Sequence, residues 1–227
     1  GAVNLGLPGL DSMELLKALN GEFTDADPMH FALQAQLAML LPQADVITIS
    51  IGGNNLLTPV IEATFSMYPG VANEAQLMAA IIGSGQTVWE HNVALFTASA
   101  LSSDPGTLGW ALETRTAQFL EDWPAILDAI EIINPDAQII AMTLYNPIEK
   151  ADHEALFNRY ESLVRPMNMA MMRTQNRAAL ANVANAFRKE PDAVAFRLTW
   201  IDAGMYLPPV LIDPHPTTFG HELIFEE

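Results

Sequence analysis

Cysteine is absent from the 227 residues, and lysine and arginine together number 10 against 27 aspartates and glutamates. Without cysteine, a disulfide framework, a thiolate metal site and a cysteine nucleophile are excluded. The formal net charge of -17 argues against a nucleic-acid partner, because a phosphate backbone is held by a basic face. An anionic membrane surface would repel the same charge. No apolar run reaches the roughly 18 residues of a membrane span, so no stable span is expected. No signal peptide is visible, and Gly1-Ala-Val-Asn4 lacks an initiating Met and reads as the interior of a longer sequence. A cysteine-free chain suits the cytosol and also bacterial secreted proteins that avoid disulfides. A secreted or cell-surface bacterial location is expected ahead of a cytoplasmic one.

Apolar material is plentiful. Half of the residues are hydrophobic, enough for one large core, and residues 1–227 are expected to form a single domain. Ala2-Val-Asn-Leu5 reads as the end of a strand, Gly6-Leu-Pro-Gly9 as a turn, and Asp11-Ser12 as the cap of a helix over Met13–Leu19. Asp27-Pro28 opens a second helix that stops at Pro42. The clearest strand is Asp45–Ile51, β-branched along most of its length and ending in Gly52-Gly-Asn-Asn55. From Leu56 to about Pro135 the pattern is helical, broken at Pro69-Gly70, Gly83-Ser-Gly85 and Asp104-Pro-Gly106, and 56–110 reads as a helical insertion. Its apolar stretch Leu77–Phe96 is either core or a cover over an apolar cleft. A strand over Ala137–Leu144 closes at Tyr145-Asn-Pro147, and a helical pattern over Asp152–Phe187 is interrupted at Pro166. A last strand, Ala193–Thr199, leads through Trp200-Ile-Asp202 towards Asp213-Pro-His215-Pro. Strands alternating with helices predict an α/β protein with a parallel sheet.

Three turns carry the candidate chemistry. Each Pro of Asp213-Pro-His215-Pro fixes its own φ and biases its predecessor towards extended backbone, so His215 and Asp213 are expected on an exposed loop just before a helix. His215 is the histidine on a strand-end loop with a carboxylate nearby. His221 suits a helix cap or solvent, His91 a surface or packed position, and His30 and His153 sit in helical patterns with no partner visible in sequence. The Gly6/Gly9 turn either serves the chain reversal alone or aims a backbone N–H into a site. Asn54 either caps the next helix or offers its amide to an oxyanion. An ester carbonyl under attack by a hydroxyl needs fixed donors for its oxyanion and a base of near-neutral pKa, which Gly9, Asn54 and His215 together would supply.

Asn4-Leu-Gly-Leu-Pro-Gly9, Gly52-Gly-Asn54-Asn55 and Asp213-Pro-His215-Pro, in this order, together resemble blocks two, three and five of the SGNH, or GDSL-type, hydrolases. The phrasing of Ala44–Asn54 and of Leu144-Tyr-Asn-Pro147 is most similar to the bacterial GDSL lipase and esterase branch. The resemblance implies a three-layer α/β/α flavodoxin-like fold and a serine esterase or lipase acting on acyl esters without cofactor or metal. It implies an oxyanion hole of the Gly9 N–H and the Asn54 side chain, and His215 as base with a nearby Asp orienting it. The sequence departs from the pattern at three points. No serine has the context of the Gly-Asp-Ser block, so the nucleophile-bearing strand is expected upstream of Gly1. Asn55 stands where an Asp is usual. Asp213 lies two residues before His215 where three is commonest, leaving either Asp213 or a backbone carbonyl to orient it. Two alternatives stay open: a non-catalytic α/β module binding an ester, acyl or glycan ligand, and a carbohydrate O-acetylesterase. The expected partner is a small-molecule ester or lipid; acyl length and oligomeric state are not legible.

Overall fold

Asp11 and Glu14 exchange hydrogen bonds with each other's backbone N–H, and this capping box starts α1 (Ser12–Asn20), which Gly21 closes in the left-handed region. The computed structural model describes residues 1–194, 196–201, 210 and 214–226. Asp27 caps α2 (Pro28–Leu40) with Pro at its first position. The β-branched run after it forms β1 (Val46–Ile49). Four helices follow: α3 (Gly53–Ser66), α4 (Glu74–Ser84), α5 (Gln86–Leu101) and α6 (Leu108–Ile133). The breaks fall at the Pro-Gly and Gly-Ser-Gly punctuation that the sequence displays. Then come β2 (Gln138–Met142), α7 (Glu154–Arg173, with Pro166 inside it), β3 (Ala178–Ala181), α8 (Val183–Lys189) and α9 (Thr218–Glu226). The strands form a parallel sheet in the order β1-β2-β3, so the protein is α/β.

Three expectations are corrected. Residues 2–5 form no strand, because Asn4 turns its side chain back to accept the Gly6 N–H at 2.8 Å, a local bond that competes with ladder pairing. The helical pattern over 152–187 hides β3. Ala178-Ala-Leu-Ala181 has high helix propensity, but pairing Ile139 with Ala178 and Met142 with Ala181 overrides it. Over 193–199 the described residues carry the end of a 3-10 turn, Pro191–Ala193, and isolated bridge positions at Val194, antiparallel to Pro216, and at Arg197, with no strand among them.

The chain divides into two compact units. The first comprises 1–56, 115–144 and 166–182 and carries the sheet. In it Leu10, Ala18, Leu33, Leu37 and Leu41 form one buried cluster, and Phe119, Trp123, Ile126 and Leu127 of α6 are fully buried. Burial of a side chain this size contributes roughly 1.5–3 kcal/mol. On α7, Met167 and Met171 are buried outright, while Met169 and Met172 face outward, so one side of the helix fills the core with flexible thioether side chains. The second unit comprises 57–114, 145–165 and 183–227, with a cluster of Tyr68, Leu77, Ile81, Trp89 and Val210.

Candidate functional site

In the first unit the Gly-rich turn and the Asn-Asn turn are joined. Asn54, in the first turn of α3, donates from Nδ2 to the Leu10 carbonyl at 3.0 Å, which leaves its second amide hydrogen for another acceptor. Gly9 has φ 86°, a conformation that favours glycine, and no described residue accepts from its N–H. The structure therefore brings Gly9 and Asn54 into one local assembly. Asn55 locks it: buried completely, it accepts the Ser12 N–H at 3.1 Å and donates to Ser12 Oγ at 2.7 Å and to the Arg115 carbonyl at 3.4 Å. Ser12 Oγ donates in turn to Asp122 at 2.7 Å, and Asp122 is held by Gln118. Asp11 accepts from Arg115 at 2.9 Å. This network was not legible beforehand, because Asp122 lies 110 positions from Ser12 in an ordinary helical pattern.

His215 belongs to the second unit, on an exposed loop three residues before α9. The loop is fixed at both flanks. Tyr145 donates its hydroxyl to the Pro214 carbonyl at 2.9 Å and stacks on Phe187. Beyond the histidine, Thr217 donates its N–H to Ala193 at 2.9 Å and accepts the Gly220 N–H at 3.1 Å, capping α9. Gly220 is required there because a Cβ would collide with the Ala193 carbonyl. Asp213 lies outside the described residues.

His215 also lines a cavity of about 450 Å³ within this unit, in the size range of small-molecule sites. Its walls are mainly apolar: Leu57, Val60 and Phe65 from α3, Leu77 and Met78 from α4, and Trp89, Val93 and Phe96 from α5. The Leu77–Phe96 stretch thus contributes both to core, through Leu77, Ile81 and Trp89, and to the cavity wall. Asp152 accepts from the N–H groups of Leu198 and Thr199 at 2.6 and 2.9 Å, and Trp89 donates to the Leu198 carbonyl at 2.7 Å, fixing Leu198 in the wall. Polar groups are few. Arg159 reaches the Ala100 and Gly109 carbonyls and Glu113, at 2.9, 3.2 and 2.7 Å. The Ser103 hydroxyl, first, and the Arg159 guanidinium hold the Glu113 carboxyl below the usual carboxylate range. Burial pushes the Tyr160 phenol up, so it stays neutral. Neither Arg159 nor Tyr160 had a signal in the sequence to single it out.

The other histidines are placed as well. His30 has partners after all: Asp27 at 2.7 Å and Glu14 at 3.8 Å, with its ring stacked on Phe23. His153 accepts the Leu156 N–H at 3.4 Å and meets Thr97 Oγ1 at 3.2 Å. His91 and His221 are exposed on α5 and α9. Among the described residues no cluster of three acidic or histidine side chains could hold a metal ion, and no helix is long and apolar enough to cross a membrane. No protein-family model and no curated protein matches this sequence.

Proposed function

We propose that the chain is an SGNH, or GDSL-type, hydrolase domain, and within that class an esterase or lipase of the bacterial GDSL branch acting on acyl esters. The observation that carries the proposal is His215, an imidazole on a doubly pinned loop at the wall of an apolar cavity of about 450 Å³. An apolar wall suits an acyl chain and a neighbouring imidazole suits proton transfer at the ester. The Gly9–Asn54 assembly supports an oxyanion hole, since both retain an N–H with no described acceptor. The parallel order β1-β2-β3 is compatible with the last three strands of a 2-1-3-4-5 flavodoxin-like sheet.

On this reading a serine attacks the ester carbonyl and passes its proton to His215. The C–O bond to the alcohol then breaks. The departing alcohol takes the proton from the imidazolium, and water, deprotonated by the same histidine, releases the acid. Ser12 is unsuited to the role, being buried with its hydroxyl committed to Asp122.

A second reading, a non-catalytic acyl-binding module, is favoured by one observation: no serine is among the described residues that line the cavity. The two separate in an assay of p-nitrophenyl esters, acetyl to dodecanoyl, with the protein as encoded in full. Hydrolysis that depends on His215 supports the enzyme, and acyl binding without hydrolysis supports the binder.

A further inference from the structure

Helix α5 is apolar on both sides. Trp89, Val93, Phe96 and Ala100, at the i, i+4, i+7, i+11 spacing of one face, line the cavity. The opposite stripe, Val88, His91, Ala94, Leu95, Ala98 and Leu101, is exposed, with Val88 at 43%, Leu95 at 55% and Leu101 at 49% of full exposure. Ile82 at the end of α4 is exposed by 48%, and Ile61 on α3 is both 43% exposed and part of the cavity wall. A surface helix ordinarily turns its polar side to water, and contiguous exposed apolar residues mark a surface that meets something.

Charge selects what it meets. Between Lys17 and Arg115 the sequence contains no lysine or arginine, while Glu62, Glu74 and Glu90 lie on α3, α4 and α5. Such a surface has no attraction for anionic headgroups. A second copy of the chain, at net charge -17, is disfavoured by mutual repulsion. We infer that the outer face of α5, with Ile82 and Ile61, docks on an uncharged or zwitterionic lipid surface, so that acyl chains pass from that surface into the cavity on the other side of the same helix. The inference rests on the acyl reading of the cavity for the identity of what is delivered; the docking itself rests on the exposed stripe and its charge.

The test is co-sedimentation of the full protein with phosphatidylcholine vesicles. The wild type is expected to pellet with them, and to bind phosphatidylglycerol vesicles at least tenfold more weakly at low salt. The double variant Val88→Asp, Leu95→Asp is expected to lose at least tenfold in partitioning. Ile132→Asp, which puts the same charge on an 84% exposed position of α6, is expected to stay within twofold. Should the double variant fail to fold by circular dichroism, Val88→Asn and Leu95→Gln ask the same question with less disturbance. Absence of wild-type binding to phosphatidylcholine, an equal loss in Ile132→Asp, or a dimer that the α5 substitutions dissolve would overturn the proposal. Vesicle binding without ester hydrolysis would sink the esterase assignment and leave the docking standing.

Discussion

Asn55 holds Ser12 at two points, accepting its N–H at 3.1 Å and donating to its Oγ at 2.7 Å. The serine hydroxyl has one proton, and it goes to Asp122 at 2.7 Å, so residue 55 must be a donor. An amide supplies that donor and a carboxylate does not. This is the physical reason an asparagine fits at position 55.

Asn55→Asp is therefore expected to destabilise the first unit by about 3 kcal/mol, the order of magnitude for a buried charge left without its partner. The new carboxyl, facing Asp122 across Ser12, would bind its proton more tightly folded than unfolded. Its penalty would then be small below the unfolded pKa and grow as pH rises through the folded one. Urea midpoints at pH 5 and pH 8 check both parts; a variant equally stable at both would contradict the donor assignment.

Gly52 has φ 99°, and a Cβ there would lie 2.7 Å from the Phe119 ring and 3.1 Å from Leu144 Cδ1. Gly52→Ala is expected to cost roughly 1–3 kcal/mol through strain at this backbone conformation, with further loss from displacing Phe119. Thermal unfolding measures it, and a midpoint unchanged within a degree would refute the close packing.

Glu113 is held below the ordinary carboxylate pKa of 4.5 by Ser103 and Arg159. A lowered folded pKa stabilises above the unfolded value and is lost as pH falls from 4.5 through the folded one. The side chain is 40% exposed, so solvent screening limits the pair to under about 1 kcal/mol. Glu113→Gln is expected to flatten the acid limb of a stability-pH profile and leave pH 7 to 9 parallel to wild type; an unaltered acid limb would show that the pair contributes nothing.

Much of the organisation was legible in the sequence, for identifiable reasons. Helix limits at Asp11, Asp27-Pro28, Gly85 and Gly106 follow from caps and breakers, which act locally. The β3 strand was not legible, because Ala178–Ala181 is a strand only by virtue of β2 beside it. The residue types at Gly9, Asn54 and His215 announced candidate chemistry. The groups that fix them did not: Tyr145 reaches the Pro214 carbonyl across 69 positions and Ser12 meets Asn55 across 43, separations that no local pattern encodes.

Val93 lines the cavity and is half-buried on α5. Val93→Trp is expected to shorten the longest acyl ester hydrolysed while sparing acetyl and butyryl esters, read as kcat/KM against chain length. A uniform loss at all lengths would place the acyl chain elsewhere.

The most direct measurement compares wild type with His215→Ala in hydrolysis of p-nitrophenyl esters by the protein as encoded in full, with circular dichroism confirming that both fold. Loss of the base is expected to lower kcat/KM at least about 10³-fold, as for removal of a general base that also activates the nucleophile. Hydrolysis that survives His215→Ala within a few fold, or wild-type protein that binds acyl chains and cleaves none of the esters, would contradict the assignment.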